Sequence, residues 1–501
     1  MKISKLIPLV LTLCLFVSCK DKSEEKQASE ITSKRPNIIF LMDDQHRYDA
    51  LGIINKQVLT PTLDSLATAG VLFNQAVCQA PMCVPSRNSM MLGLYPNQTG
   101  VYRNSDGLKD EDVPVKTMAE YFRDAGYETA GFGKTHWGKF KTNTRGFETR
   151  YVSEIKEDGA ISMLEMNPES KKRYDAEIKD MGAGEENNLG YLGFTSKLDE
   201  TDHRDGWITK QTINYIENRN DERPLFLYLS YMKPHAGHNV PNGYEDLYDL
   251  DSITYPKQPN WSQDKSPHSE GVNRRKMYED YWKNASEEEW KLMTMRYYAN
   301  VTWIDDMMGR TLKALKKKGL LENTLIVYTS DHGEMLGSRY YKFNKYNLYD
   351  ASVRVPMIIS GTALPKEIKP NSVDDLSAEN TDLLPTLLKF SGIDQDKPLL
   401  GENLFSKNRN EATFSALHER TGEAAFMWRT KNHKLILVFK RKENALDYSE
   451  KDIITGEFYD LQKDPKEWTN LFNNSEISSL QNEYKTQLLA HLHKLKNKHA
   501  I

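Results

Sequence analysis

The residues with the most chemistry to offer stand in five short clusters: Asp43-Asp44, Cys83 with Arg87, Lys134 with His136, Lys233 with His235, and Asp331-His332. Three aspartates supply hard oxygen donors of the kind that Ca²⁺ or Mg²⁺ takes, and His332 could complete such a shell. Lys134, His136, His235 and Arg87 add cationic donors. Around a metal, this combination suits a small, multiply charged oxyanion such as sulfate or phosphate. An Asp-Asp pair alone reads as a solvated turn, and a lone histidine as a structural one. Their position argues for function, because unpaired charge abutting a buried strand is costly.

That position recurs. Asp43-Asp44 follows the apolar run 37–42, Lys134 and His136 follow 127–132, Lys233-Pro234-His235 follows 224–231, and Asp331-His332 follows 324–329. Another strand is expected at 71–76. Strand-like runs alternating with helical segments predict an α/β fold, with a large, mostly parallel sheet flanked by helices. Open sheets of this kind bind ligands at the carboxyl ends of their strands, so the four clusters are expected to meet at one edge. One helix is easy to read. Val301, Ile304, Met308, Leu312 and Leu315 recur at steps of three and four, Lys316, Lys317 and Lys318 fill the last turn, and Gly319 sits where a C-cap belongs. Residues 154–205 and 244–289 lack that periodicity and read as excursions that shape a cleft. After about Phe405 come short β-like runs such as 434–440, then a helix near 479–496. The catalytic domain is therefore expected at 35–405, with a smaller C-terminal α+β subdomain at 406–501.

The most specific stretch is Cys83-Val84-Pro85-Ser86-Arg87, continuing Asn88-Ser89-Met90-Met91-Leu92-Gly93. Pro85 and the apolar Met90-Met91 predict a helix beginning just after Cys83, which would set residue 83 at a positive helix terminus. This stretch resembles the C-x-P-S-R signature of type I sulfatases, in the alkaline phosphatase-like superfamily. The resemblance runs from about Pro36 to Leu471. It includes Asp43-Asp44-Gln45, Thr60-Pro61-Thr62-Leu63-Asp64, Gly133-Lys134-Thr135-His136-Trp137-Gly138, Lys233-Pro234-His235, Ser330-Asp331-His332-Gly333-Glu334, Ser352-Val353-Arg354-Val355-Pro356 and Phe458-Tyr459-Asp460-Leu461.

The resemblance implies that a separate maturation enzyme oxidises Cys83 to formylglycine, whose hydrate attacks sulfur. It implies one Ca²⁺ held by Asp43, Asp44, Asp331, His332 and residue 83. Arg87 and the metal would polarise the sulfate and Lys134 would bind its oxygen. His235 and Lys345 would assist the leaving alcohol. His136 would take a proton from the sulfated hydrate, expelling sulfate and restoring the aldehyde. Two departures stand out. Position 332 is His where many relatives carry Asn. The stretch 337–345 lacks the usual Glu-His-Gly, and counting back from Tyr349-Asp350 selects Lys345, with Lys342 as the competitor.

The 501 residues carry a formal charge of −4, with 39% hydrophobic and 28% charged residues. That excludes a strongly basic, nucleic-acid-wrapping body. Met1-Lys2-Ile3-Ser4-Lys5 is a basic start, and the apolar run 6–17 is too short to span a bilayer comfortably, so 1–18 reads as a signal peptide. Phe16-Val17-Ser18-Cys19 resembles a lipoprotein cleavage box, which makes Cys19 a lipidation site and 19–34 a flexible tether. The alternative is a plain secretory signal with an incidental cysteine. Either way the protein is expected to be exported, to the outer membrane, cell surface or periplasm, with membrane contact through the lipid anchor only. Cys78 and Cys83 remain in the body, and a disulfide between them would close a very small loop and contribute little.

The tether resembles those of Bacteroidetes surface lipoproteins, which points to a sulfated oligo- or polysaccharide substrate: an algal glycan such as ulvan first, host glycosaminoglycans as the competitor. Tyr102, Arg103 and Asn104 could line the leaving-group subsite, and His203, Arg204, His238 and Arg339 could bind sugar hydroxyls or a neighbouring anion. Each is equally readable as a solvated loop residue. The rival enzyme is a phosphodiesterase or phosphonate monoester hydrolase of the same superfamily. The rival from another class is a glycan-binding lipoprotein with a decayed site, against which the intact Cys83, Arg87, Lys134, His136, His235 and three aspartates argue.

Overall fold

Strand β1 (Asn37–Asp44) carries Ile38-Ile39-Phe40-Leu41-Met42 without alternation, as a strand covered on both faces must. It is the axis of a nine-stranded sheet in the computed structural model, which describes residues 35–137, 144–153, 160–181, 189–259, 281–418, 422–442 and 447–497. The signal peptide, Cys19 and the tether lie outside the described residues. The other strands of the sheet are β2 (Val71–Val77), β3 (Glu128–Gly133), β4 (Thr149–Val152), β5 (Ile161–Ser162), β7 (Leu225–Pro234), β9 (Thr324–Ser330), β10 (Met357–Ser360) and β11 (Ser372–Glu379). Two short strands, β6 (Phe194–Ser196) and β8 (Asn239–Pro241), pair separately. The spatial order is β11-β2-β10-β9-β1-β7-β3-β4-β5, and β10 alone runs antiparallel to its neighbours. Each of the five expected strands is present and ends one to three residues past its apolar run, and β1, β3, β7 and β9 thereby reach up to or into the polar cluster that follows.

The register brings those clusters together. Asp43 pairs with Ser330 on β9, and Asp44 with Pro234 on β7. Three parallel strands therefore end side by side. One apolar layer below the sheet holds Ile39, Leu41, Leu227 and Leu229 against Trp303, Ile304 and Met307 of the long helix. The opposite layer packs Phe40, Phe226 and Tyr228 against Met90 and Met91 of the Cys83 helix and against Leu383, Leu384 and Leu387.

Several sequence expectations change. The long helix spans Glu287–Lys317, well beyond the legible stripe, because Ser286 and Glu289 form a capping box at its start. Its C-cap is Lys318, with Gly319 one residue on at φ 74°. The supposed excursion at 154–205 holds a helix at Pro168–Asp180, which is illegible in the sequence because it lies almost wholly exposed and so has no apolar stripe. The Cys83 helix begins at Cys83 itself, with Met82 as N-cap; Pro85 fits in its first turn, where backbone N–H groups lack helical partners. Cys78 and Cys83 are both free thiols.

The C-terminal region forms a four-stranded antiparallel sheet, β12 (Thr413–His418), β13 (Glu423–Arg429), β14 (His433–Lys440) and β15 (Ile453–Asp460), followed by a helix at Ser478–Asn497. One face buries Phe414, Phe426 and Leu437 under Leu488, Leu492 and Leu495 of that helix. The other face presents Met427, Ile436 and Val438 to the core of the main sheet, so Pro36–Ile501 forms one compact unit.

Candidate active site

Arg87 organises the site. From the Cys83 helix, its Nε donates to Asp331 Oδ2 at 2.7 Å and its Nη2 to Asp44 Oδ2 at 3.1 Å. Its Nη1 donates to the Lys134 carbonyl and to Ser230 Oγ, each at 2.9 Å. One enclosed guanidinium thus ties together the ends of β1, β3, β7 and β9. Ser86 adds a 2.5 Å bond from its hydroxyl to the Asp331 carbonyl. Gly133 makes the approach of β3 to β7 possible, because a Cβ there would lie 1.9 Å from the Ser230 carbonyl oxygen and its φ is 87°. That turn delivers Lys134.

Around Cys83, at the helix N-terminus, the predicted residues converge. Lys345 Nζ donates to the Cys83 Sγ at 3.1 Å, His332 Nε2 lies at 3.3 Å and Lys134 Nζ at 3.9 Å. His136 and His235 also bear on Cys83 electrostatically. Lys134 Nζ stands 2.6 Å from Asp44 Oδ2 as well. Burial opposes a thiolate, yet Lys134, Lys345 and His332 hold the Cys83 thiol well below its ordinary value. Burial and the Cys83 charge push the Asp44 carboxyl up, but Lys134, His235 and Lys345 outweigh them and leave it below the usual carboxylate range. His235 is lowered, first by burial and then by Lys345. The cavity is built to hold negative charge at residue 83. Of the two candidate lysines, Lys345 is the one aimed at Cys83.

The same place fits a divalent cation. Asp44, Cys83, Asp331 and His332 each offer one ligand atom, all within 4.8 Å of one another. The buried Asp44 Oδ1 has no hydrogen-bond partner, and neither does Asp43 Oδ1. Orphaned buried carboxylate oxygens are costly unless a cation fills them. His332 Nδ1 lies 3.0 Å from the Gly333 carbonyl, which leaves Nε2 as the ligand atom. Asp43 stands outside the tight group, with Oδ2 taken by His46 Nδ1 at 2.6 Å and Tyr328 at 2.9 Å.

The proposed sugar-binding residues divide. Tyr102 stacks on His418 at 3.7 Å between ring centroids, Arg103 pairs with Asp106, and Asn104 Oδ1 accepts the Val84 N–H at 3.0 Å, so this loop abuts the Cys83 helix. Arg204 stays partly exposed beside Met232. His203, His238 and Arg339 are buried, at 2%, 0% and 2% exposure. His203 packs edge-on to Trp303, His238 binds the Tyr191 carbonyl at 2.7 Å, and Arg339 lies 3.8 Å over the Tyr349 ring. Their neighbours are aromatic, and that packing holds them inward. Sequence reasoning assigns no role to Gln45, Glu334 or Ser230. The first two lie inside the quoted clusters, and Ser230 is a lone hydroxyl in an apolar strand.

Comparison with known proteins agrees with this geometry. The sulfatase family profile matches residues 36–393, and a profile described as "N-sulphoglucosamine sulphohydrolase, C-terminal" matches residues 338–494. An arylsulfatase of Clostridium perfringens is 30% identical over 461 residues, 88% of this chain and 91% of that protein. An ulvan-active sulfatase of Formosa agariphila is 29% identical over 500 residues, 97% of this chain and 87% of that protein. The fold is shared with the phosphonate monoester hydrolase of Agrobacterium radiobacter, at a TM-score of 0.73 and 21% identity, covering 93% of this chain and 96% of that one. The profile match over most of the chain and the end-to-end likeness to an arylsulfatase agree: this chain belongs to the sulfatase family and is a sulfuric ester hydrolase.

Proposed function

We propose that the protein removes sulfate from a sulfated polysaccharide, an ulvan-type algal glycan in the first instance, using Ca²⁺ and a formylglycine formed from Cys83. The observation that carries this reading is the convergence of Lys134, Lys345, His136 and His235 on Cys83, beside carboxylate oxygens left without partners. The polysaccharide rests on the likeness to the ulvan-active sulfatase over nearly the whole chain.

Asp44, Asp331, His332 and residue 83 would hold the cation, with Asp43 beside them. Bound there, Ca²⁺ would draw charge from the sulfate oxygens, and the formylglycine hydrate would supply the attacking hydroxyl. The rest falls to this chain's own side chains. Arg87 fixes Asp44 and Asp331. Lys134 and Lys345 place two ammonium groups where negative charge gathers, which favours a sulfate oxygen and a developing alkoxide. His235, with its lowered pKa, is poised to donate to or accept from the departing sugar hydroxyl only near its own titration range, while His136 serves residue 83 from the neighbouring loop after β3.

The C-terminal match to the sulphoglucosamine sulphohydrolase profile favours a second reading, an amino-sugar sulfate of a glycosaminoglycan. A phosphonate monoester is the third candidate, from the shared fold alone. The test is the mass of the Cys83 peptide after co-expression with a maturation enzyme, followed by sulfate release from ulvan and glycosaminoglycan panels and turnover of a phosphonate ester. An unmodified Cys83 beside a converted control protein would refute the mechanism, and release from heparan fragments alone would replace ulvan. We also propose export and lipidation at Cys19, read from the basic start, apolar run and cysteine box. An N-terminal peptide carrying an unmodified Cys19 would refute the lipidation.

A further inference from the structure

We infer that Glu334 is a positioning residue that presents the Lys345 ammonium to the reacting atoms, with Gln45 as the connecting arm. The inference rests on the reading that Lys345 assists the departing oxygen. Glu334 is fully enclosed and stands outside the group of metal-ligand candidates. It forms no ion pair with a lysine or arginine among the described residues. A buried carboxylate of this kind is costly unless its hydrogen bonds accomplish something.

Those bonds all lead to Lys345. Oε1 accepts the Leu336 N–H at 2.8 Å and the Asn344 N–H at 2.5 Å, and so closes the loop whose next residue is Lys345. Oε2 accepts the side-chain amide of Gln45. Gln45 Oε1 in turn accepts from Lys345 Nζ at 2.9 Å, and the same nitrogen reaches the Cys83 Sγ at 3.1 Å. The orientation of the Gln45 amide is dictated by its partners, since an ionised carboxylate only accepts and an ammonium only donates.

The loop needs such a clamp. Leu336, Tyr340, Tyr341, Asn344 and Tyr346 have φ values of 46°, 47°, 53°, 68° and 76°, in the left-handed region that side chains disfavour. Two of these, Leu336 and Asn344, are the residues whose N–H groups Glu334 binds. Gln45 itself has φ 68°. Released from Glu334, the loop would relax towards ordinary backbone and Lys345 would withdraw.

The test compares Glu334→Gln with wild type on nitrophenyl sulfate and on phenyl sulfate, whose leaving group is the stronger base and needs more assistance. Glu334→Gln sets two amide NH₂ groups face to face and severs the link to Gln45. We expect kcat to fall about 100-fold on phenyl sulfate and only a few-fold on nitrophenyl sulfate. Ca²⁺ affinity by calorimetry should hold, and adding Glu334→Gln to Lys345→Ala should cost nothing more. Should Glu334→Gln not fold, Gln45→Asn makes the same comparison, because Asn tolerates the left-handed backbone but is too short to bridge. Equal losses on both esters, losses that add to those of Lys345→Ala, or Ca²⁺ binding weakened tenfold would each overturn the proposal. The glycan reading fails separately, by absent sulfate release from polysaccharides while both small esters are still cleaved.

Discussion

Two clusters of buried charge sit on neighbouring parts of this molecule, and they are built to opposite ends. At the junction with the C-terminal sheet, Asp350 accepts from Arg429 Nε and Nη2, both at 2.8 Å, and lies 2.6 Å from Lys434 Nζ. Lys434 Nζ also stands 2.5 Å from Glu467, whose second oxygen accepts the Asp350 N–H at 2.7 Å. Every carboxylate oxygen there has a partner. At Cys83 the number of charges is similar, yet Asp43 and Asp44 each keep an orphaned oxygen and several cations converge on one sulfur. Burial and charge alone therefore do not mark a catalytic centre. What sets the Cys83 cluster apart is the combination of orphaned carboxylate oxygens with cations gathered on one side chain, which leaves room for a metal and an anionic substrate.

The contrast can be broken by substitution. Cys83→Ala should abolish turnover, by about 10⁴-fold or more, with a melting temperature near that of wild type. Substantial residual sulfate release would place the nucleophile elsewhere. Arg429→Met should do the reverse: stability falls by about 3–5 kcal/mol as Asp350 loses its bidentate partner, while activity per folded molecule persists. Denaturant unfolding and active-site titration would check both halves. Removing metal lies between. A chelator should stop turnover and lower stability by about 2.7 kcal/mol relative to Ca²⁺ at a hundred times its dissociation constant, with both effects reversed by Ca²⁺. A chelated enzyme that melted unchanged would mean that the orphaned oxygens are not filled by a cation.

The smallest effect concerns carboxyls that have neither metal nor ion pair. Burial, and then Asp382, pushes Glu379 up to about 8, and burial pushes Asp382 up to about 7. The native state keeps these protons where the unfolded chain has lost them. Their contribution is therefore complete below the ordinary carboxylate range and is lost as pH rises through about 7 to 8. The melting temperature should fall by a few degrees as pH rises from about 5 to about 8 and level off above that, and Glu379→Gln should flatten that slope. An equally steep profile in the variant would remove the pair as its cause.

Much of the site is legible in the order of residues along the chain. Strands announce themselves by unbroken apolar runs, and the polar residues that end them must lie at a sheet edge, so Asp43, Asp44, Lys134, His235 and Asp331 can be named together. Elements without an apolar stripe are not legible: the exposed helix Pro168–Asp180 and the short antiparallel β10 leave little periodic trace. Nor does residue type distinguish His203, His238 and Arg339, which pack among aromatic rings, from Lys134 and Lys345, which face the Cys83 sulfur.

What the chain determines by itself is its inventory: the strand ends, the Cys83 signature, and which side chains can bear charge or bind metal. Only the tertiary structure decided which of them meet. The Lys345 ammonium, the Glu334 clamp and the four-strand grip of Arg87 depend on contacts between residues up to 300 positions apart, such as Gln45 with Lys345. Local sequence carries periodicity and propensity, whereas such partnerships arise when strand register and loop closure bring distant segments within hydrogen-bond reach.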